Sequence, residues 1–537
     1  MKSLVKGTAL ISSVVMAIGL GGCTAASNNS GNSPSPAAPE AKSVVMVVPS
    51  LPDNLTIFPY AGNASQAVLT GLGSQIGVYE HSCSSAVPGK VEGKLAESIV
   101  VSPDQKSIEV KLRPLKSQYG NTLSADDIEW SLVQYGFVIQ PVLKKTFKQS
   151  GFDVDNLITK VDDHTVKFNL KSFESYSVDM FQNPLGYIYD STEAMKHASA
   201  DDPVAQKWLF TNLADYSGWK LDNFTPGQSL KVTADANWGG AARKVTEVVL
   251  QGVPDDATRQ QLLQSGKAQV AVGFQYSQYK ALSESPGIKV QTCPSLNMDN
   301  LMFSTREAPL NDVRVRQALS MAIDRDKLVT GAYSGYAKPA ISSLNADFGI
   351  GSTGGVYTYN LKKAKQLLAE AGYPNGFELT MTYSPTRPGP VVARSSVLVQ
   401  SMLAEVGVKV KLEQIASPTQ MSEPMYISHL YQSALYGEPV AIADPAYLSW
   451  IKFGDSPNNS GTFWKDSEMT QLLASVAQIP AEQKAERMKL FKRIAQIGDE
   501  QVPLIELVET PYVTATKDLK IGAFMPNGQI SFNDFGR

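Results

Sequence analysis

The sequence predicts an α/β fold made of strand–helix–strand units, and two segments carry that prediction. In residues 377–413, Phe377, Leu379, Met381 and Tyr383 alternate with Glu378, Thr380 and Thr382, which is strand periodicity. A helix from about Val391 to Val406 stops at Gly407, and Val408, Val410 and Leu412 then alternate with Lys409, Lys411 and Glu413. The second unit is the β-branched run "KVTEVVLQGV" (244–253), a helix opening at Asp255 or Asp256 and closing at Gly266, and the returning run "AQVAVGF". Strands joined through a helix imply right-handed crossovers and parallel pairing.

The elements between and around these units follow in order. Residues 43–49, "SVVMVVP", read as a first strand. "SIEVKLRPL" and "HTVKFNLK" read as antiparallel strands around the helix-like "SADDIEWSLVQYGFV", which marks about 98–215 as an inserted subdomain. After Asn311 and Asp312, the residues Val315, Ala318, Leu319, Ala322 and Ile323 recur at helical spacing. After Asn360, Ala364, Leu367, Leu368 and Ala371 form a second stripe that ends at Gly372.

The chain has 537 residues, enough for two to four domains or one large architecture with inserted parts. Its 48 basic and 51 acidic residues give a net charge of −3, and neither sign forms a long run, so nothing suggests a nucleic-acid footprint or a polybasic membrane patch. The first residues differ from the rest. Lys2 and Lys6 precede an apolar run, Ala9 to Leu20, that is too short to span a bilayer comfortably. Leu20-Gly21-Gly22-Cys23 resembles the bacterial lipobox, which implies a signal peptide over 1–22 and a lipidated Cys23. An ordinary secretory leader is the alternative. Residues 24–43 are rich in Ser, Asn, Pro and Ala without apolar periodicity, as expected of a flexible tether over 23–43. The expectation is an exported, lipid-anchored protein facing the periplasm or the cell exterior. In that compartment Cys83 and Cys293 either form a disulfide or stay as two buried thiols.

The usual catalytic patterns are missing: no GxSxG, no HExxH and no Walker A sequence. "GLGSQIG" (71–77) has its third glycine at the wrong spacing for a dinucleotide loop and reads as helix–loop packing. The histidines, His81, His164, His197 and His429, fall in no metal-ligand spacing. Asp126-Asp127 and Asp255-Asp256 both open helices, where carboxylates satisfy free N–H groups. The chain is read as a non-enzyme with no cofactor and no metal.

"LNDVRVRQALSMAIDRDKLVTGAYSGYAKPA" (310–340) resembles the signature of family 5 solute-binding proteins, the extracytoplasmic receptors of peptide, nickel and related ABC importers. The similarity runs in family order through "GKLAESIVVSPDQKSIEVKLR" (93–113), "NTLSADDIEWSL" (121–132), "ANWGG" (236–240), "VPDDATRQQLLQSGKAQVAVG", "YNLKKAKQLLAEAGYPNGFELTM" and "LVQSMLAEVGVKVKLEQI". It implies a two-lobed periplasmic-binding-protein fold of the class II type, with an extra subdomain in lobe one. Lobe one would span 44–294, lobe two 295–505, and residues 506–537 would return to lobe one. The partners implied are an ABC permease, a peptide or similar small polar solute, and the membrane through the lipid anchor alone. The protein would act as a monomer without nucleic acid. Oligosaccharide or metal-chelate uptake and signalling are the neighbouring alternatives, with a lipid-anchored hydrolase as a third class.

Ligands of open α/β sheets sit beyond the carboxyl ends of strands. In lobe one this points to Asn54 and Tyr60, and in lobe two to Arg387 and the segment "ALYGEPVAIADPAYL" (434–448), with Tyr436, Gly437, Glu438 and Asp444. The resemblance implies an acid in this segment that pairs with a peptide α-amine. Aligning the family "DP" with Asp444-Pro445 puts that position at Ala441, and Glu438 is the nearest upstream acid.

Overall fold

The computed structural model describes residues 43–56, 63–80, 82–351, 355–385, 389–415, 431–438, 440–454, 462–522, 524 and 530–536. In chain order the strands are β1 (Ser43–Val48), the short pair β2 (Gly77–Tyr79) and β3 (Val91–Gly93), then β4 (Ala96–Val101), β5 (Ser107–Leu112), β6 (Ile158–Asp162) and β7 (Thr165–Asn169). Next come β8 (Trp219–Thr225), β9 (Ser229–Ala234), β10 (Glu247–Gly252), β11 (Val270–Ala271) and β12 (Ile288–Cys293). A second group follows: β13 (Met298–Phe303), β14 (Lys338–Pro339), β15 (Glu378–Tyr383), β16 (Lys409–Gln414), β17 (Ser433–Glu438) and β18 (Leu504–Glu509), with β19 (Tyr512–Lys517) last. Helices are interspersed among these strands, so the α/β class holds.

Two large sheets organise the chain. The lobe-one sheet runs β12-β19-β11-β1-β10-β9-β8, and the lobe-two sheet runs β14-β18-β13-β17-β15-β16. The strand–helix–strand units are parallel as predicted. β15 and β16 pair from Glu378↔Lys409 to Tyr383↔Gln414, and helix Val392–Ala404 joins them. β10 and β11 both run parallel to β1, which lies between them. Both sheets are nevertheless mixed, because β13 is antiparallel to β17 and β18, and β19 is antiparallel to β11 and β12. The reason is the route between lobes. Parallel neighbours need a long crossover, whereas the chain enters lobe two on β13 and leaves on β18 through a few residues at one edge.

The helix starts follow their caps. Asp255, Asp312 and Asn360 accept from Thr258 N, Arg314 N and Lys363 N, and so satisfy amides that the first helical turn leaves free. The inserted region contains the antiparallel sheet β4-β5-β7-β6. Its helix opens at Ser124 with a capping box to Asp127 and widens into a π turn over Trp130–Gly136. "GLGSQIG" is the end of helix Asn63–Leu72 and the turn beyond it, with Gly73 at φ 83°.

Two boundaries fall elsewhere than the sequence suggested. β18 pairs with β13 in the lobe-two sheet, so the return to lobe one comes at Thr510-Pro511 and not at 506. Helices Pro445–Phe453, Ser467–Gln478 and Lys484–Gln501 follow β17 in lobe two, yet Tyr447, Leu448, Leu473, Val476, Phe491 and Ile494 join the apolar core of lobe one. Lobe two keeps a separate core around Leu301, Leu319, Val399 and Leu435. Sequence periodicity shows that a helix has an apolar stripe, but not which sheet the stripe meets.

Candidate functional site: the cleft between the two sheets

The chain crosses between lobes twice, over residues 294–297 and at Thr510-Pro511, and the two crossings are tied together. Ser295 Oγ donates to the Thr510 carbonyl at 2.6 Å, Thr510 N donates to the Asn297 carbonyl at 3.1 Å, and Tyr512 Oη donates to Asn297 Oδ1 at 3.0 Å. The short connecting strands therefore share main-chain and side-chain bonds at the base of the cleft. The disulfide Cys83–Cys293 closes the lobe-one side of this base, joining residues 210 positions apart at the end of β12.

The lobes meet across the cleft in two places. On one side, Gln275 of lobe one donates to the Pro390 carbonyl of lobe two at 2.7 Å. Beside it the Tyr276 ring lies 5.5 Å from both Tyr333 and Tyr336 of lobe two. On the other side, Gln182 Nε2 donates to the Ala441 carbonyl at 2.6 Å, and Ala443 N donates to Tyr79 Oη at 2.9 Å. Tyr176 packs edge-on against Tyr447 at 5.4 Å.

The predicted site residues distribute as follows. Asn54 folds back on its own loop, with Oδ1 accepting from Thr56 N at 3.1 Å and Thr56 Oγ1 at 2.9 Å. Tyr60 and Arg387 lie outside the described residues, as do His81 and His429. Tyr436 is buried on β17 in a small cluster with Met302, Tyr431, Ala434 and Leu504. Gly437 stands beside Asp299 in the β13–β17 register, and Glu438, last in β17, stands beside Met298; the Glu438 side chain is outside the described set. Asp444 is engaged within the protein. It caps helix Pro445–Phe453 through Ala446 N at 2.7 Å and holds Arg487 through both carboxylate oxygens at 2.7 and 2.8 Å. Both side chains are 7% exposed. A carboxylate so occupied is part of the frame that docks the three helices on lobe one.

The remaining titratable groups near the cleft were not predicted. Tyr333 Oη donates to Asp299 Oδ2 at 2.7 Å, and Ser395 Oγ donates to Tyr333 Oη at 3.2 Å. Burial pushes the Asp299 carboxyl up to about 7, with Tyr333 pulling it down and the Glu506 charge pushing it further up. Glu506 itself is raised by burial and lowered by Lys452, whose Nζ pairs with it at 2.5 Å. Lys452 also lines a small, mainly apolar cavity with Leu296, Met298, Leu344, Phe348, Val440 and Leu448, just below the crossing. The signal for these acids was in the sequence. "MDNLMF" and "LIELVE" are central strands buried at every position, and an acid inside such a run needs a specific reason. His164 sits in the β6–β7 turn with Nδ1 3.1 Å from the Leu123 carbonyl, and His197 stacks on Trp208. Among the described residues no group of three or more His, Cys, Asp or Glu could hold a metal ion. No helix among them is long and apolar enough to cross a membrane.

Two α/β lobes on a double-stranded hinge, with a polar aromatic cleft between them, define a solute-binding protein of the two-lobed extracytoplasmic class. Residues 90–460 match the model of bacterial extracellular solute-binding proteins, family 5, and the chain belongs to that family. It is 26% identical over 511 residues to the glutathione-binding protein GsiB of Escherichia coli (strain K12), covering 92% of this chain and 94% of that protein. Its fold matches the periplasmic binding protein DppA from Helicobacter pylori in complex with peptide STSA, with a TM-score of 0.79 at 20% identity over 92% of this chain and 98% of that one. It also matches NikA from Staphylococcus aureus in complex with Ni(L-His)2, with a TM-score of 0.73 at 18% identity over 93% of this chain and 100% of that one. The family consists of binding proteins, not enzymes.

Proposed function

We propose that this protein captures a peptide or a similarly small polar solute between its lobes and delivers it to the permease of an ABC importer. It would do so as a monomer held on the outer face of the membrane through a lipidated Cys23. The observation that carries the reading is the pair of bonded crossings at 294–297 and 510–511, which leaves two separately cored sheets facing one cleft. A ligand that touches both lobes is bound fully only when they close, so closure reports occupancy to a partner. The similarity to a glutathione-binding protein over most of the chain favours a peptide-like cargo. The leader and the Ser/Asn/Pro/Ala-rich segment favour the anchor, which would raise the effective concentration of receptor at its permease. The family is one of binding proteins, and catalysis forms no part of this proposal.

The test is a thermal-shift screen of the chain lacking residues 1–23 against di-, tri- and tetrapeptides, glutathione, oligosaccharides and nickel chelates. A ligand that binds only the folded state stabilises it by RT ln(1 + [L]/Kd), about 2.7 kcal/mol at a hundredfold excess over Kd. Peptides should raise the melting temperature. Stabilisation by sugars or chelates alone would replace the cargo assignment, and no stabiliser in any class would defeat the receptor reading.

A further inference from the structure

We propose that Asp299 is the anionic contact for a primary ammonium group of the bound solute, with the rings of Tyr276, Tyr333 and Tyr336 lining the approach. The inference rests on the receptor reading above and names the chemistry at one end of its site.

Five observations converge on this residue. Asp299 is the second residue of β13, immediately past the first crossing between lobes, so it lies at the base of the cleft. Its register partner on β17 is Gly437, which places no side chain beside the carboxylate on the shared face of the sheet. Among the described residues only Tyr333 is seen to donate to it, although it is 1% exposed. Among the described residues no Lys, Arg or His pairs with it, and the other charge acting on it is that of Glu506, of the same sign. The ring of Tyr276 comes from lobe one and the rings of Tyr333 and Tyr336 from lobe two, so a group held here touches both lobes. Tyrosine faces attract cations.

The energetics point the same way. An ionised carboxylate without a cation in a buried site costs several kcal/mol, and the carboxyl answers by holding a proton to about pH 7. A ligand ammonium supplies the missing charge and displaces that proton. Ala441, which the sequence alignment on Asp444-Pro445 puts forward in the segment after β17, has a methyl group and offers no charge. Asp299 supplies a carboxyl at the base of the cleft from β13. Among the described residues, the groups around it are Tyr333, Ser395 of helix Val392–Ala404, Glu506 of β18 and Tyr276 of helix Tyr276–Ser283. None of them titrates as a cation.

The experiment is calorimetry with di- to tetrapeptides of Gly, Ala, Ser and Leu, each free and N-acetylated, on the wild type and on Asp299→Asn. Free peptides should bind the wild type at least tenfold more tightly than their acetylated forms, and Asp299→Asn should abolish that preference. Wild-type affinity for a free peptide should fall tens of fold from pH 7 to pH 5 as the carboxyl takes up its proton, while Asp299→Asn stays flat. The wild-type pH profile and the acetylation comparison stand even if the variant folds poorly. Equal binding of free and acetylated peptides, unchanged discrimination in Asp299→Asn, or binding of sugars or chelates with no free peptide bound would each overturn the inference and leave the receptor intact. If no solute of any class binds the wild type, both fall together.

Discussion

Asp444 and Asp299 are two buried carboxylates at the same end of lobe two, one seven residues beyond Gly437 and the other beside it in register. Asp444 has Arg487 on both oxygens and a helix N-terminus at its back, whereas Asp299 has one tyrosine hydroxyl. The first is a charge completed within the protein and serves to hold elements together. The second is a charge left incomplete at the point where the two lobes meet. Burial does not distinguish a structural acid from a binding one; the completeness of its partners does.

The largest test of that distinction breaks the completed pair. Arg487→Ala should cost roughly 3–5 kcal/mol, because a buried carboxylate loses its cation. Burial and the Asp444 charge already hold the neighbouring Asp179 carboxyl well above the usual range, and Arg487 is the cation that opposes this. The double change Asp444→Asn with Arg487→Met should recover most of the loss, read as the denaturant midpoint of each variant. A single variant as stable as the wild type would reduce the pair to ornament.

Asp299 should behave in the opposite way. Its carboxyl titrates near pH 7 when folded and near the ordinary value of 3.8 when unfolded. The folded state therefore holds more protons between those values, and stability from this group is complete in acid and lost as pH rises through about 7. The ceiling is on the order of 4 kcal/mol for a shift from 3.8 to about 7. Asp299→Asn keeps an acceptor for Tyr333 and cannot ionise. Relative to the wild type it should therefore gain stability from pH 4.5 to pH 8.5, measured as the difference in unfolding free energy at each pH. A constant difference across that range would show that the carboxyl carries a compensated charge after all.

The contrast also shows what a sequence can convey. The β15–helix–β16 unit was legible because alternation, a helical stripe and Gly407 are local, and so were the caps at Asp255, Asp312 and Asn360. The binding-protein architecture was legible through the order of several family-like segments. The role of Asp444 was not, because its partner lies 43 residues away on another helix. Nor was the pairing of Cys83 with Cys293, which depends on β12 ending beside the loop after β2. Asp299 was missed although an acid within "MDNLMF" was visible, since only the strand's central place in the sheet makes that acid conspicuous. Long-range partners, rather than residue types, were what the sequence withheld.

A third acid completes the comparison. Glu468 meets Arg493 with two contacts, at 2.6 and 2.7 Å, a geometry as good as that of Asp444 with Arg487. These side chains are 51% and 39% exposed, however, so water competes for both charges and salt screens them. Holding two long side chains in one arrangement also costs rotamer entropy. Glu468→Gln should leave the denaturant midpoint within experimental error, and what little effect exists should vanish in 0.5 M salt, roughly where the screening length falls below the spacing of surface charges. A loss comparable to that of Arg487→Ala would mean that contact geometry alone sets the strength of these pairs. An unchanged midpoint would leave desolvation as the quantity that makes Asp444 structural, and the want of a cationic partner among the described residues as the quantity that leaves Asp299 available to a ligand.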